Sequence, residues 1–285
     1  MKKYLKLFRR KSSLFIVSLL ALSVWLIWGN LHIQVTNIIV EDKNIPEEFD
    51  GFKIAQISDL HGKDWGNKLV NQIIGENPDI IVITGDLIDS KTTDLYSVHE
   101  FISDIEKMAP IYFVTGNHEA RNEYYDELAA SLLDQGVNIL DDDKQIIKVN
   151  EDEILLFGIQ DPSFSKESNL LNENEGIVES KIEQLTKNYN GYKILLSHRP
   201  EFFDAYVREN INLVFSGHAH GGQGRLPFIG GLVAPDQGFF PKYTSGKYEE
   251  NNTNMLVSRG LGNSIIPIRM NNNPELLVAE LKYKK

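Results

Sequence analysis

The run Asp79-Ile80-Ile81-Val82-Ile83-Thr84 constrains the fold more than any other stretch. Its apolar residues are continuous rather than alternating, the pattern of a strand covered on both faces. It closes on Gly85-Asp86, and the same pattern recurs four times. Residues 51–57 lead into Ser58-Asp59-Leu60-His61-Gly62, and residues 111–115 lead into Gly116-Asn117-His118-Glu119. Residues 192–196 lead into Ser197-His198-Arg199-Pro200, and residues 211–215 into Ser216-Gly217-His218-Ala219-His220-Gly221-Gly222. Helical stretches separate the first runs. Leu69, Val70, Ile73 and Ile74 share one face that ends at Asn77-Pro78, and further helices are predicted near 94–108 and 123–135. Such alternation predicts an α/β domain with a mixed sheet flanked by helices.

The second half opens with a meander, residues 144–149 and 153–159, joined by Asn150-Glu151-Asp152. A polar surface loop is expected at 163–175 and a helix near 177–189. Residues 224–248, rich in Gly, Pro and aromatics, read as an ordered loop system, and strands near 255–259 and 276–282 close the domain. At 285 residues the chain is long enough for a substantial core, and the domain is expected to span 32–285.

Five strand ends thus carry Asp59/His61, Asp86, Asn117/His118, His198 and His218/His220. In open α/β sheets, sites form at the carboxyl ends of strands, so these loops can meet on one rim. His32 and His99 fall outside the set, as a juxtamembrane residue and an ordinary helix residue. Each turn alone has a simpler account. Asp86 can be a turn former or helix cap, Asn117 an Asx-turn residue, and His198 a satisfied loop histidine. Five separate coincidences at equivalent strand ends explain the whole set poorly. The chain has no cysteine, which excludes disulfides, thiolate nucleophiles and cysteine-based zinc sites. A metal would need nitrogen and oxygen ligands, which suit Mn, Fe or Zn alike. The net charge of -11 argues against a nucleic-acid partner, but not against a small phosphate ester in a locally positive site.

Together, Asp59-x-His61, Gly85-Asp86, Gly116-Asn117-His118-Glu119, His198 and Gly217-His218-x-His220 resemble the calcineurin-like metallophosphoesterase superfamily, over about residues 53–222. The stretch from Gly221-Gly222-Gln223 to Phe239-Phe240-Pro241-Lys242-Tyr243 is similar to a narrower bacterial branch of membrane-anchored or exported phosphodiesterases. Some of that branch resemble pyrophosphohydrolases of UDP-2,3-diacylglucosamine. The resemblance implies a two-sheet α/β/β/α sandwich. It also implies two divalent metal ions, one on Asp59, His61 and His220, the other on Asn117, His198 and His218, with Asp86 bridging both. Two cations ~3.5–4 Å apart would orient an attacking hydroxide and neutralise the phosphoryl oxygens during in-line displacement. If Asp59 and Asp86 are the only anionic ligands, two dications less two carboxylates leave an excess of two positive charges, which attracts phosphate. His118 is the expected catalytic group, protonating or stabilising the leaving alkoxide. Its alternative role is an orienting hydrogen bond within its turn.

Residues 1–31 differ from everything after them. Lys2, Lys3, Lys6, Arg9, Arg10 and Lys11 form a basic flank, and residues 14–28 carry no charge. Residues 12–31 supply about the ~20 residues that a membrane span needs. A cleaved signal peptide shares this layout, but Ile27-Trp28-Gly29-Asn30-Leu31 lacks the alternating small residues of a cleavage site. Ser12 and Ser13 likewise stand where a twin-arginine signal at Arg9-Arg10 would want apolar residues. Trp25 and Trp28 suit an interfacial belt and the cations suit the cytoplasmic side. The expectation is a retained transmembrane helix at the cell membrane, with a cytoplasmic N-terminus and an extracytoplasmic catalytic domain.

The expected activity is hydrolysis of a phosphodiester or pyrophosphate bond in a small-molecule or lipid-linked envelope substrate. A phosphomonoesterase and a non-catalytic, metal-bearing surface-binding protein are the alternatives. Arg199 and Arg225 are candidate substrate-phosphate contacts or surface residues. Asp161 supports a ligand histidine or caps the following turn. Phe228, Ile229, Phe239 and Phe240 form an apolar lip beside the bilayer or pack in the core.

Overall fold

The apolar runs pair into two six-stranded sheets. The computed structural model describes residues 2–165, 171–263 and 268–285, with side chains from residue 13 and, in the helix opening at Leu171, from residue 174. The side chains of the basic flank and residues 166–170 of the expected polar loop lie outside the described residues.

In chain order the strands are β1 (Gln34–Asp42), β2 (Lys53–Ile57), β3 (Ile80–Thr84), β4 (Ile111–Val114) and β5 (Asn138–Ile139). The second half lays down β6 (Lys144–Val149), β7 (Asp152–Gly158), β8 (Lys193–Leu196) and β9 (Leu213–Ser216). Two short ladders follow, β10 (Arg225–Leu226) with β11 (Gly230–Gly231) and β12 (Val233–Ala234) with β13 (Gly238–Phe239). The chain closes with β14 (Gly246–Glu250), β15 (Thr253–Val257) and β16 (Glu275–Tyr283). One sheet has the order β1-β16-β2-β3-β4-β5 and the other β14-β15-β9-β8-β7-β6. The centres of both are parallel, β2 to β5 in the first and β7, β8, β9 and β15 in the second. The helices are α1 (Lys2–Leu31), α2 (Asn67–Glu76), α3 (Tyr96–Ile105), α4 (Tyr125–Asp134), α5 (Leu171–Thr186) and α6 (Phe203–Arg208).

Successive strand residues point to opposite faces, and the buried side chains divide accordingly. Ile54, Val82, Tyr112 and Leu277 of the first sheet meet Leu156, Leu196 and Phe215 of the second. Ala55, Ile83 and Phe113 face the other way, onto Leu69 of α2, Ile102 of α3 and Leu128 of α4. On the far side, Phe157, Leu195 and Val214 pack with Ile182 of α5 and Tyr206 of α6. The layers are those of the α/β/β/α sandwich.

Several features differ from the sequence expectations. β1 carries only one buried residue, Val40, so its pattern is too polar to read as a strand. It forms anyway because β16 offers it a full parallel ladder. α5 opens six residues before the expected 177, since its first turn is Asn- and Glu-rich and reads as loop. Thr253 and Asn254 belong to β15, a fully buried strand whose polar start hid its beginning.

α1 runs unbroken to Leu31, and its Ser13–Leu31 stretch is long and apolar enough to cross a membrane, with a mean hydropathy of 2.1. Its end is tied to the domain. Asn30 Nδ2 donates to Arg269 O (2.9 Å), and Arg269 N donates to Asn30 Oδ1 (2.8 Å). His32 stacks on Trp28, and His99 lies within α3.

Candidate metal centre

The carboxyl ends of β2, β3 and β4, neighbours in one sheet, face those of β8 and β9 in the other. Gln56 joins the two sheets beneath the rim, its Nε2 donating to Thr84 Oγ1 and to Ser216 O, both at 2.8 Å. Above it the chain turns sharply. Asp59, His61, Asp86, His218 and His220 all have φ between 47° and 64°, the left-handed region that non-glycine residues seldom occupy. Strained backbone of this kind clusters at functional sites. Gly217 makes the close approach possible, since a Cβ there would lie 1.9 Å from Ser58 Oγ and 2.5 Å from Asp59 Oδ2.

Among the described residues four groups of donor atoms could hold a cation, and two of them share Asp86. Asp59, His61, Asp86 and His220 compose one, and Asp86, His198 and His218 the other. In the first, His61 Nε2 and His220 Nε2 stand 3.1 Å apart, and His220 Nε2 lies 3.3 Å from Asp59 Oδ1. Burial lowers the basicity of both rings, and for His220 the adjacent His61 and Arg269 lower it further. Both imidazoles thus resist protonation, and their Nε2 atoms meet beside Asp59.

In the second group, His198 Nδ1–H donates to Thr84 O (2.7 Å), which leaves Nε2 facing Asp86 Oδ2 at 3.3 Å. His218 Nε2 lies 3.0 Å from Asp236 Oδ2, which leaves Nδ1 facing His198 Nε2 at 3.1 Å. Burial works against protonating His198, but Asp86 and Asp59 outweigh it and push the ring up to about 10. A divalent cation at this position competes with that proton. Burial likewise opposes ionisation of Asp86, yet His198, His61 and His118 hold its carboxyl well below the usual range. Asn117 Oδ1 is buried without a hydrogen-bond partner, which a cation would satisfy. Carboxylate, imidazole and amide oxygen make a donor set that fits Mn, Fe or Zn.

His118 stands at the edge, with a side chain 25% exposed, and its Nε2 is 3.9 Å from Asp86 Oδ2. Ser90 N donates to His118 Nδ1 (3.0 Å), so Nε2 is the protonated nitrogen of the neutral ring.

Several contributors were not visible in the sequence reading. Glu119 accepts from Asp86 N, Ile88 N and Gly116 N, clamping the turns after β3 and β4 together. Its place in Gly116-Asn117-His118-Glu119 was the only signal for it. Asp89, three residues beyond Asp86, lies 3.3 Å from His118 Nδ1 and 3.7 Å from His61 Nδ1. Asp236 and Arg269 have no local signal at all. Arg269 is buried, with its guanidinium on the carbonyls of Gly262 and Arg259 and Nη2 3.5 Å from His220 Nδ1.

The two candidate phosphate-binding arginines are engaged with the protein. Arg199 donates from Nε and Nη2 to Asp161, from Nη1 to Asp236 and Glu201, and from Nη2 to Ser163 Oγ. Asp161 also accepts from Ser163 N, so it caps that turn and supports His218 through Arg199 and Asp236. Arg225 Nη1 donates to Gly221 O (2.8 Å) and Thr244 Oγ1 (3.1 Å), fixing the first short ladder to the His220 loop.

Comparison with known proteins agrees with this geometry. The calcineurin-like phosphoesterase family profile matches residues 52–222. The Bacillus subtilis protein YkuE, named an uncharacterized metallophosphoesterase, is 32% identical over 270 residues, covering 88% of this chain and 86% of its own. A Danio rerio transmembrane protein with metallophosphoesterase domain is 29% identical, covering 87% of this chain and 57% of its own. Phosphodiesterase YaeI of Escherichia coli is 24% identical, covering 81% of this chain and 82% of its own. By the profile match and the Bacillus relative, the chain belongs to the calcineurin-like phosphoesterases, metal-dependent phosphohydrolases with a dinuclear divalent metal centre.

Proposed function

We propose that this protein is a membrane-anchored phosphodiesterase or pyrophosphohydrolase. In this reading Asp59, His61 and His220 hold one divalent cation, Asn117, His198 and His218 hold the other, and Asp86 holds both. The observation that carries it is the position of Asp86, whose Oδ2 lies 3.3 Å from His198 Nε2 and 3.8 Å from His61 Nε2. One carboxylate thus belongs to both donor groups. Bound cations supply Lewis acidity to the phosphoryl group and draw it to the rim of an otherwise anionic protein. His118 then acts on the leaving oxygen. Ser90 orients its ring, Nε2 carries the proton, and its partial exposure leaves it open to substrate. Arg199 keeps Asp236 on His218, a positioning role.

The name of the Escherichia coli relative, a phosphodiesterase, favours a diester over a monoester substrate. The exposed apolar helix α1 and the transmembrane relative support the anchor. The six cations ahead of its apolar stretch support a cytoplasmic N-terminus with the domain outside. Full-length protein in detergent with Mn²⁺ should cleave bis-p-nitrophenyl phosphate faster than p-nitrophenyl phosphate, and EDTA should abolish both. A faster monoester rate would reassign it as a phosphomonoesterase. Bound metal without turnover on any phosphoester would make it a binding protein.

A further inference from the structure

We propose that the loop system between His220 and β14 is a second membrane-contacting element, with Phe228, Ile229, Phe239 and Phe240 seated in the interface of the bilayer that α1 enters. The proposal rests on the anchor reading of α1.

Two independent observations single out these residues. The first is exposure. Phe228 is fully exposed, and Ile229, Phe239 and Phe240 are 59%, 82% and 68% exposed, so core packing does not account for them. Leaving large apolar side chains in water forgoes the gain from burying them, and clustered exposed apolar surface marks an interaction site. The second is backbone strain. Phe228 and Phe240 have φ of 68° and 54°, where glycine or asparagine is comfortable and a bulky aromatic is an outlier. The chain accepts strain to hold rings at turn tips that the described residues leave exposed.

Continuity with α1 identifies what does cover them. Ile268 lines an apolar groove with Leu26, Ile27 and Leu31 of α1, and the next residue, Arg269, is tied to Asn30. Met270 follows, and its carbonyl accepts from Arg225 N (2.9 Å). Arg225 opens the β10–β11 hairpin, whose tip is Phe228-Ile229. Ile268 and Met270 are themselves exposed, so exposed apolar side chains stand both where the helix meets the domain and where the hairpin is tied to it. Residues 226–230 and 238–241 contain no charged side chain. Aromatic, uncharged turns beside a membrane helix suit the bilayer interface.

The arrangement bears on substrate. Arg225 Nη1 donates to Gly221 O, and Leu232 N donates to Gly222 O (3.1 Å), so the tips hang from the loop that carries His220. Seating the tips in the interface brings the metal ligands to the headgroup plane. The class of substrate this serves is an amphiphile whose phosphoester lies at the membrane surface.

The absence of cysteine permits a direct test. Full-length Phe228→Cys, Phe240→Cys, Val17→Cys and Glu151→Cys proteins would each carry an environment-sensitive fluorophore in phosphatidylethanolamine/phosphatidylglycerol vesicles. Glu151 is an exposed control in the turn before β7, at the opposite strand ends from the site. Doxyl groups on the lipid chains should quench the Phe228 and Phe240 labels several times more strongly than the Glu151 label. Quenching at Val17 with none beyond the Glu151 level at both tips would overturn the proposal and leave the anchor standing. Absence of quenching at all three apolar positions would sink the anchor reading and the proposal with it. Quenching at the tips without Val17 would remove the anchor and overturn the proposal that the tips share a bilayer with α1. Unchanged melting temperatures across the labelled set show that each variant is folded.

Discussion

Gly217 shows how little space the centre leaves. Ser58 Oγ donates to Asp59 Oδ2 (2.6 Å) in the space a side chain at 217 would enter. Gly217→Ala should therefore displace Asp59 or His218, and a shift of about 1 Å at such a site costs roughly 10²-fold in turnover. Hydrolysis of bis-p-nitrophenyl phosphate by the variant, with melting temperature as a folding check, measures this. His118 makes the opposite prediction about metal. His118→Ala should lower turnover by roughly 10²–10⁴-fold and leave the metal content unchanged by elemental analysis. Loss of one metal instead would recast His118 as a ligand. The donor residues were legible because Asp, His and Asn at strand ends carry their chemistry in their type. Asp236 and Arg269 were not, because they meet His218 and His220 from 18 and 49 residues away.

At the scale of elements, the Arg199 network joins the ends of β7 and β8 to the loop carrying Asp236. Removing one partner from a buried ion pair leaves the other uncompensated, at a cost of about 3–5 kcal/mol. Arg199→Met should lose about that much stability, read from denaturant midpoints. The pH dependence follows from Asp161. Burial opposes its ionisation, but Arg199 outweighs burial and holds the carboxyl below its usual value. This stabilisation is complete above the unfolded carboxylate value of about 3.9 and is lost as pH falls through the folded value. In Arg199→Met the stranded carboxyl gains from protonation, so the stability gap to wild type should narrow as pH drops from neutral toward that range. A gap independent of pH would mean that Arg199 acts by packing alone. β3 was legible because a run buried on both faces is apolar throughout. β1 and the two-residue ladders were not, because long-range pairing rather than pattern makes them strands. The aromatic tips were ambiguous for a related reason: sequence reports that a residue is apolar, not whether the fold covers it.

On the scale of the whole molecule, the centre is a joint between two sheets. One contributes Asp59, His61, Asp86 and Asn117, and the other His198, His218 and His220. Chelated protein must hold the Asp59 and Asp86 carboxylates within an anionic chain of net charge -11, with a basic His198 as partial compensation. Cations that bind only the folded joint stabilise the whole protein by mass action, about 2.7 kcal/mol at a hundredfold excess over Kd for one site. Adding Mn²⁺ to EDTA-treated full-length protein should therefore raise the melting temperature by several degrees, growing with the logarithm of free Mn²⁺. Asp86→Asn should show a much smaller rise, since it removes the one carboxylate common to both donor groups, whereas a change at the distant Glu151 should leave the rise intact. An equal rise in Asp86→Asn would mean that the cations stabilise the protein elsewhere, and the joint would then owe its geometry to packing and hydrogen bonds alone.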